Sequence, residues 1–209
     1  MKNDFMAIVD YGLGNLMSVS KAFARFYKNV HITSSKKKIL EAKAIVLPGV
    51  GSFRDAIRNI EKLGLIKPII SSINSGKPFF GICLGLQLLF SQSEENGTSY
   101  GLNIIKGVVR KFPAKINLKI PHIGWNRINM KKSNSLFNNI PNGSYVYFVH
   151  SYYGDPDIKD LVASDTLYGI RFPSTLIKDN IFAMQFHPEK SQKVGLTIIK
   201  NFLNIINKC

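Results

Sequence analysis

Short apolar runs alternating with segments of helical periodicity restrict the fold of this chain more than any other feature of its sequence. Met6–Asp10 is such a run, and the turn Tyr11-Gly12-Leu13-Gly14 follows it directly. Asn15 is placed to cap a helix on which Val19, Ala22, Phe23 and Phe26 share one face. Val30–Thr33 and Ala44–Leu47 read as the next strands, and Leu65–Ile73 as a helix that tolerates Pro68 in its first turn. Phe79–Ile82 reads as a buried strand, and Leu84–Phe90 turns helical at once. Apolar strands separated by helices predict a mostly parallel central sheet with helices on both faces, an α/β fold.

The pattern changes from about Val108. Val108–Phe112, Lys119–Ile123, Arg127–Met130 and Tyr145–Val149 are strand candidates with no helix between them. Tyr168–Phe172 and Ile181–Phe186 continue the series, and Gly195–Ile206 closes it as an amphipathic helix. This half predicts an antiparallel β extension on the α/β core. With 209 residues and no repeat, linker or low-complexity segment, residues 1–209 read as one domain.

No apolar run reaches the roughly 20 residues that span a bilayer, and the N-terminal segment lacks a signal peptide's apolar stretch. A cytoplasmic protein without membrane contact is expected. The net charge of +15 is mostly dispersed lysine. Without an arginine-rich arm, aromatic RNA-binding motif or zinc-finger spacing, it reads as a solvated surface, and no nucleic-acid partner is expected. Cys83 lies in an apolar, glycine-flanked segment and Cys209 is the last residue, so a disulfide framework is not expected.

The segment around Cys83 carries the chemistry. An apolar strand ends at Gly81-Ile82, a helix begins just past Cys83, and Gly81 and Gly85 lie two residues to either side. This is the pattern of a nucleophile elbow with cysteine in place of serine. The turn would raise the sulfur into a cleft over a helix start, whose unpaired N–H groups stabilise negative charge. The N–H of Leu84 is placed to donate to an oxyanion. Taken alone, the segment fits a small buried thiol equally well.

A base appears in Gln185-Phe186-His187-Pro188-Glu189. His187 leaves a late apolar strand at its carboxyl end, the edge at which open α/β sheets place their sites. Pro188 holds His187 extended, and Glu189 can then bond the imidazole, fix its tautomer and stabilise its protonated form. The remaining histidines show no metal-ligand spacing, so no metal site is expected.

From Met6 to Leu203 the chain resembles the class I (triad-type) glutamine amidotransferases, whose fold is flavodoxin-like. Five stretches carry the resemblance: DYGLGNLMSV, LPGVGSF, GICLGLQLLF, PHIGWN with YFVHSYY, and QFHPEKS. Several of them are particular to glutaminase subunits that serve a HisF-type (β/α)8-barrel cyclase. The resemblance implies that Cys83, His187 and Glu189 hydrolyse L-glutamine through a thioester without a metal or organic cofactor, with Val50 and Leu84 N–H groups as the oxyanion hole. It implies that Gly49, Gly51, Gln87, Ser151 and Tyr152 hold glutamine, and that Trp125, Tyr147 and Lys190 face the partner. Ammonia would pass to the barrel, which makes imidazole glycerol phosphate and AICAR on the route to histidine. The family's oxyanion hole is thought incomplete until the partner binds its own substrate.

Two other readings remain open on sequence alone. A paralogue with the same glutaminase chemistry could feed amidino-sugar synthesis for surface glycans. Ser174-Thr175-Leu176 and Gln192-Lys193-Val194 leave room for it, because they depart from the usual small-residue pattern. A non-catalytic basic binding module is the third reading, and the intact Cys83, His187 and Glu189 weigh against it.

Overall fold

The computed structural model describes residues 4–207; Cys209 lies outside the described residues. Within them the chain builds an eight-stranded sheet from the apolar runs. The first half supplies β1 (Met6–Val9), β2 (Val30–Thr33), β3 (Ala44–Gly49) and β4 (Phe79–Cys83). β5 (Phe90–Ser93), β6 (Ser99–Tyr100), β7 (Ile105–Lys111), β8 (His122–Arg127), β9 (Asn129–Met130), β10 (Tyr145–His150) and β11 (Tyr152–Pro156) follow. β12 (Val162–Tyr168), β13 (Ile170–Lys178) and β14 (Ile181–Met184) complete the set. The order in the large sheet is β2-β1-β3-β4-β14-β13-β12-β9. Pairing is parallel from β2 to β14 and antiparallel from β14 to β9.

β1, β3, β4 and β14 are buried at every position, as strands covered on both faces must be. Successive side chains alternate between two cores. Val46, Phe80 and Phe182 join one, against α1 (Leu16–Ala24), while Ile45, Phe79 and Ile181 join the other. That second core takes in α2 (Lys36–Glu41), α3 (Phe53–Lys62), α4 (Ile66–Asn74) and α5 (Leu84–Gln87). The last helix, α6 (Gln192–Ile206), packs Ile198, Ile199 and Phe202 on the first core. Asn15 caps α1 as expected, its side chain accepting from the Ser18 N–H. No helix of the described residues is long and apolar enough to cross a membrane.

Several boundaries differ from the sequence expectation, each through a long-range partner. The helix expected to run to Phe90 stops at Gln87, because the carbonyls of Leu88, Leu89 and Phe90 accept N–H groups from residues 102–105. Phe90 then opens β5. Phe26 lies beyond the end of α1 and is partly exposed. The strand expected at Tyr168–Phe172 is interrupted at once: Tyr168 ends β12, Gly169, at φ +70°, reverses the chain, and Ile170–Phe172 open β13. The segment 122–130 divides, β8 pairing with β10 and β9 with β12. The antiparallel extension is β13-β12-β9, while β10-β8 and β11-β7-β5-β6 stand as separate smaller sheets. Helix α3, unanticipated from sequence, starts at Ser52, whose hydroxyl accepts from the Asp55 N–H.

Candidate active site

Cys83 and His187 emerge from neighbouring parallel strands. β4 ends at Cys83, β14 ends at Met184, and the two pair in register through Ile82 and Met184. Adjacent strand ends carry both side chains to the carboxyl edge of the sheet, where open α/β folds place ligands. Cys83 itself carries the strained backbone of the elbow, at φ +53°, a region uncommon outside glycine. Gly81 and Gly85 serve close packing instead. A Cβ on Gly85 would lie 1.8 Å from the Leu47 carbonyl oxygen, and one on Gly81 would lie 3.1 Å from the Gly85 oxygen. Because α5 is a single turn, charge stabilisation at the sulfur comes from local N–H groups more than from a long dipole. Leu84 is the first residue of that turn, so its N–H has no acceptor within the helix.

The His187 imidazole is buried and donates from Nδ1 to Glu189 Oε1 at 2.8 Å. With a carboxylate on Nδ1, the neutral ring leaves Nε2 as its basic atom. Nε2 is buried and closes no hydrogen bond among the described residues, while the ring lies within electrostatic reach of the Cys83 sulfur. Burial pushes the imidazole pKa down, but negative charge on Cys83 and Glu189 outweighs it and raises the value to about 10. The backbone is anchored as well. His187 N–H donates to the Tyr147 carbonyl, and Ser191 Oγ donates to the His187 carbonyl while accepting from the Tyr147 N–H.

A cavity of about 430 Å³ opens beside Cys83, and Val50, Gly51, Leu84, Gln87, Ser151, Tyr152 and Lys190 line it. These are most of the residues singled out from sequence. Gly49 is outside the lining: it sits buried at the end of β3, level with Cys83, where an added Cβ would meet the Tyr11 hydroxyl. Tyr11 in turn donates to the Pro48 carbonyl at 2.9 Å, holding the start of the loop. Burial, with negative charge at Cys83, pushes its phenol far up. Gly51 faces open space, and its glycine requirement is the backbone φ of +97°. Trp125 and Tyr147 are cross-strand neighbours on β8 and β10, away from the cavity, and Lys190 Nζ lies 5.9 Å from the Tyr147 ring centroid.

Sequence reasoning missed three contributors. Glu95 lines the cavity, held by the Phe53 N–H at 2.7 Å; a carboxylate in a turn between short strands carries no local signature. Gln185 stands inside a recognised motif, but nothing in its spacing marks it. It accepts from Gln87 Nε2 at 3.0 Å and donates to Cys83 Sγ at 3.6 Å. The Val149 carbonyl, 3.8 Å from Sγ, accepts from the thiol. No group of His, Cys, Asp and Glu among the described residues could hold a metal ion.

A cysteine in strained conformation and a buried histidine–carboxylate pair, brought to one edge of a largely parallel sheet, form the arrangement that cysteine-dependent acyl transfer calls for. The class-I glutamine amidotransferase family matches residues 7–206, and the chain belongs to that family. Within it the chain is similar to the HisH subunits of imidazole glycerol phosphate synthase. It is 50% identical over 202 residues to that of Geobacter metallireducens, covering 94% of this chain and 96% of the relative. With that of Caldanaerobacter subterraneus the identity is 52% over 204 residues, covering 98% and 99%. Among solved structures, PurLQS from Thermotoga maritima aligns with a TM-score of 0.73 at 18% identity, over 98% of this chain and 99% of that one. This last likeness shows the fold alone.

Proposed function

We propose that the chain is a HisH-type glutaminase subunit that hydrolyses L-glutamine and delivers ammonia to a HisF-type (β/α)8-barrel cyclase in the cytoplasm. Cys83 Sγ attacks the side-chain amide carbon as the thiolate, its proton already held on His187 Nε2. The tetrahedral oxyanion is held by the N–H groups of Val50 and Leu84. Collapse breaks the C–N bond, His187 returns the proton to the leaving nitrogen, and ammonia departs, leaving a glutamyl thioester. Water, deprotonated by His187, then releases glutamate and restores the thiolate. Glu189 keeps the ring in its working tautomer throughout.

Glutamine carries an α-ammonium and an α-carboxylate. Glu95 supplies a negative charge to the first, and Lys190 a positive charge on the cavity wall. Gly51, Gln87, Ser151 and Tyr152 complete the binding surface. Trp125, Tyr147 and Lys190 form the face on which the barrel seats, and the similarity to HisH subunits supports imidazole glycerol phosphate and AICAR as the complex's products. The observation that carries this reading is that paired strands bring Cys83, which opens on the cavity, and the His187–Glu189 pair to the same edge of the sheet. Cys83→Ala should abolish glutamine-dependent synthesis by the complex and leave ammonia-dependent synthesis intact; undiminished turnover on glutamine would reject the assignment.

A further inference from the structure

Two buried histidines have no place in that reaction's proton transfers, although His150 also borders the cavity. His122 and His150 are directly opposed on β8 and β10, with 3% and 6% of their surface exposed. Their hydrogen bonds determine both tautomers. His150 Nδ1 lies 2.8 Å from the Tyr152 carbonyl, which can only accept, so Nδ1 carries the proton. The neutral ring then leaves Nε2 as an acceptor, and its partner at 3.0 Å is His122 Nδ1, which must donate. His122 Nε2 in turn faces the Asn126 amide nitrogen at 3.3 Å, a donor held in place by its bond to the Leu167 carbonyl.

The chain of donors does not end at Tyr152. The same carbonyl accepts from Gln87 Nε2 at 2.9 Å. Gln87 gives its other proton to Gln185 Oε1, and Gln185 Nε2 donates to the nucleophilic sulfur. Aromatic rings of Phe112, Phe148, Tyr168 and Phe172 enclose the two imidazoles. Burial there pushes His122 down to about 4 and His150 down to about 3. A proton added to His150 Nε2 would also set two donors against each other. The pair is therefore neutral and directional.

We infer that His122 and His150 are positioning residues: together they fix the Tyr152 carbonyl, and through it the Ser151–Tyr152 wall of the cavity and the Gln87–Gln185 bridge to Cys83. The inference rests on the reading of this cavity as the glutamine site. It predicts different outcomes for two substitutions at one position. Asparagine keeps a donor where Nδ1 stands, whereas phenylalanine fills the aromatic box and leaves the carbonyl with the Gln87 donor alone.

The test compares His150→Phe and His150→Asn in the full chain with its partner subunit. Two electrophiles accompany glutamine turnover: 6-diazo-5-oxo-L-norleucine, which must occupy the glutamine cavity, and iodoacetamide, which needs only the thiol. In His150→Phe, KM for glutamine should rise and diazo-oxonorleucine labelling should slow by about tenfold, the scale of one lost buried hydrogen bond. Iodoacetamide labelling should hold, and His150→Asn should recover most of the loss. Unchanged KM and labelling in the phenylalanine variant, or equal slowing with both reagents, would overturn the inference. Failure of the unaltered protein to react with diazo-oxonorleucine would strike instead at the glutamine reading. Should the phenylalanine variant not fold, imidazole ¹⁵N spectra of the unaltered protein decide: both rings are expected as Nδ1–H tautomers, and an Nε2–H form of either one refutes the chain.

Discussion

Replacing Gly85 with alanine places one methyl group where the elbow leaves no room. The added carbon would sit 1.8 Å from the Leu47 carbonyl oxygen and 2.8 Å from its carbon. An unstrained carbon–oxygen contact is about 3.3 Å, so α5 and β3 must separate by about 1.5 Å. Neither side can yield cheaply. Leu47 pairs with Gly81 inside the parallel ladder, and Gly85 follows Cys83 by two residues. Overpacking typically costs about 1–3 kcal/mol, and a backbone obstacle places this case near ~3 kcal/mol. Alanine's better helix propensity returns up to about 1 kcal/mol. A net loss of about 2 kcal/mol at a slope of about 2–4 °C per kcal/mol lowers the melting midpoint by roughly 4–8 °C. Activity should suffer more, because a displacement of about 1 Å in a reacting group can cost about a hundredfold. The assay pairs a thermal unfolding scan with glutamate release by the complex. A variant that melts within about 1 °C of the parent and turns over glutamine at the parental rate would refute the account of why glycine stands two residues past Cys83.

Glu189→Gln should preserve the fold yet lower glutamine turnover by about 10²–10⁴, since a neutral amide no longer stabilises the imidazolium; steady-state kinetics showing a loss under about threefold would remove Glu189 from the orienting role. Folding stability should fall as pH drops from about 6.5 to 5. His122 and His150 have pKa values held below those of the unfolded chain, so the unfolded state binds more protons across that window, at roughly 2 kcal/mol for each histidine by pH 5. His187 runs in the opposite sense, its contribution being full below about 6.5 and lost as pH rises toward 10, so it does not offset the acid-side loss. Urea midpoints at pH 7 and pH 5 measure the difference, and equal midpoints would contradict the burial of a neutral pair.

What the sequence determined by itself is local chemistry. The Asn15 cap, the apolar runs of β1, β3, β4 and β14, the elbow at Cys83 and the spacing of His187 to Glu189 depend on residues within a turn or a strand of one another, and such signals survive without tertiary context. Tertiary structure decided whatever needed a distant partner. Leu88–Phe90 has the apolar character of a helix, yet its carbonyls find N–H donors on residues 102–105, and the segment turns at Leu88-Leu89 into β5. Glu95 reaches the cavity because α3 offers it the Phe53 N–H, and His122 meets His150 because β8 pairs with β10 in one register. Hydrogen bonds and burial in these cases join parts of the chain that no sequence window contains, so only the folded molecule could reveal them.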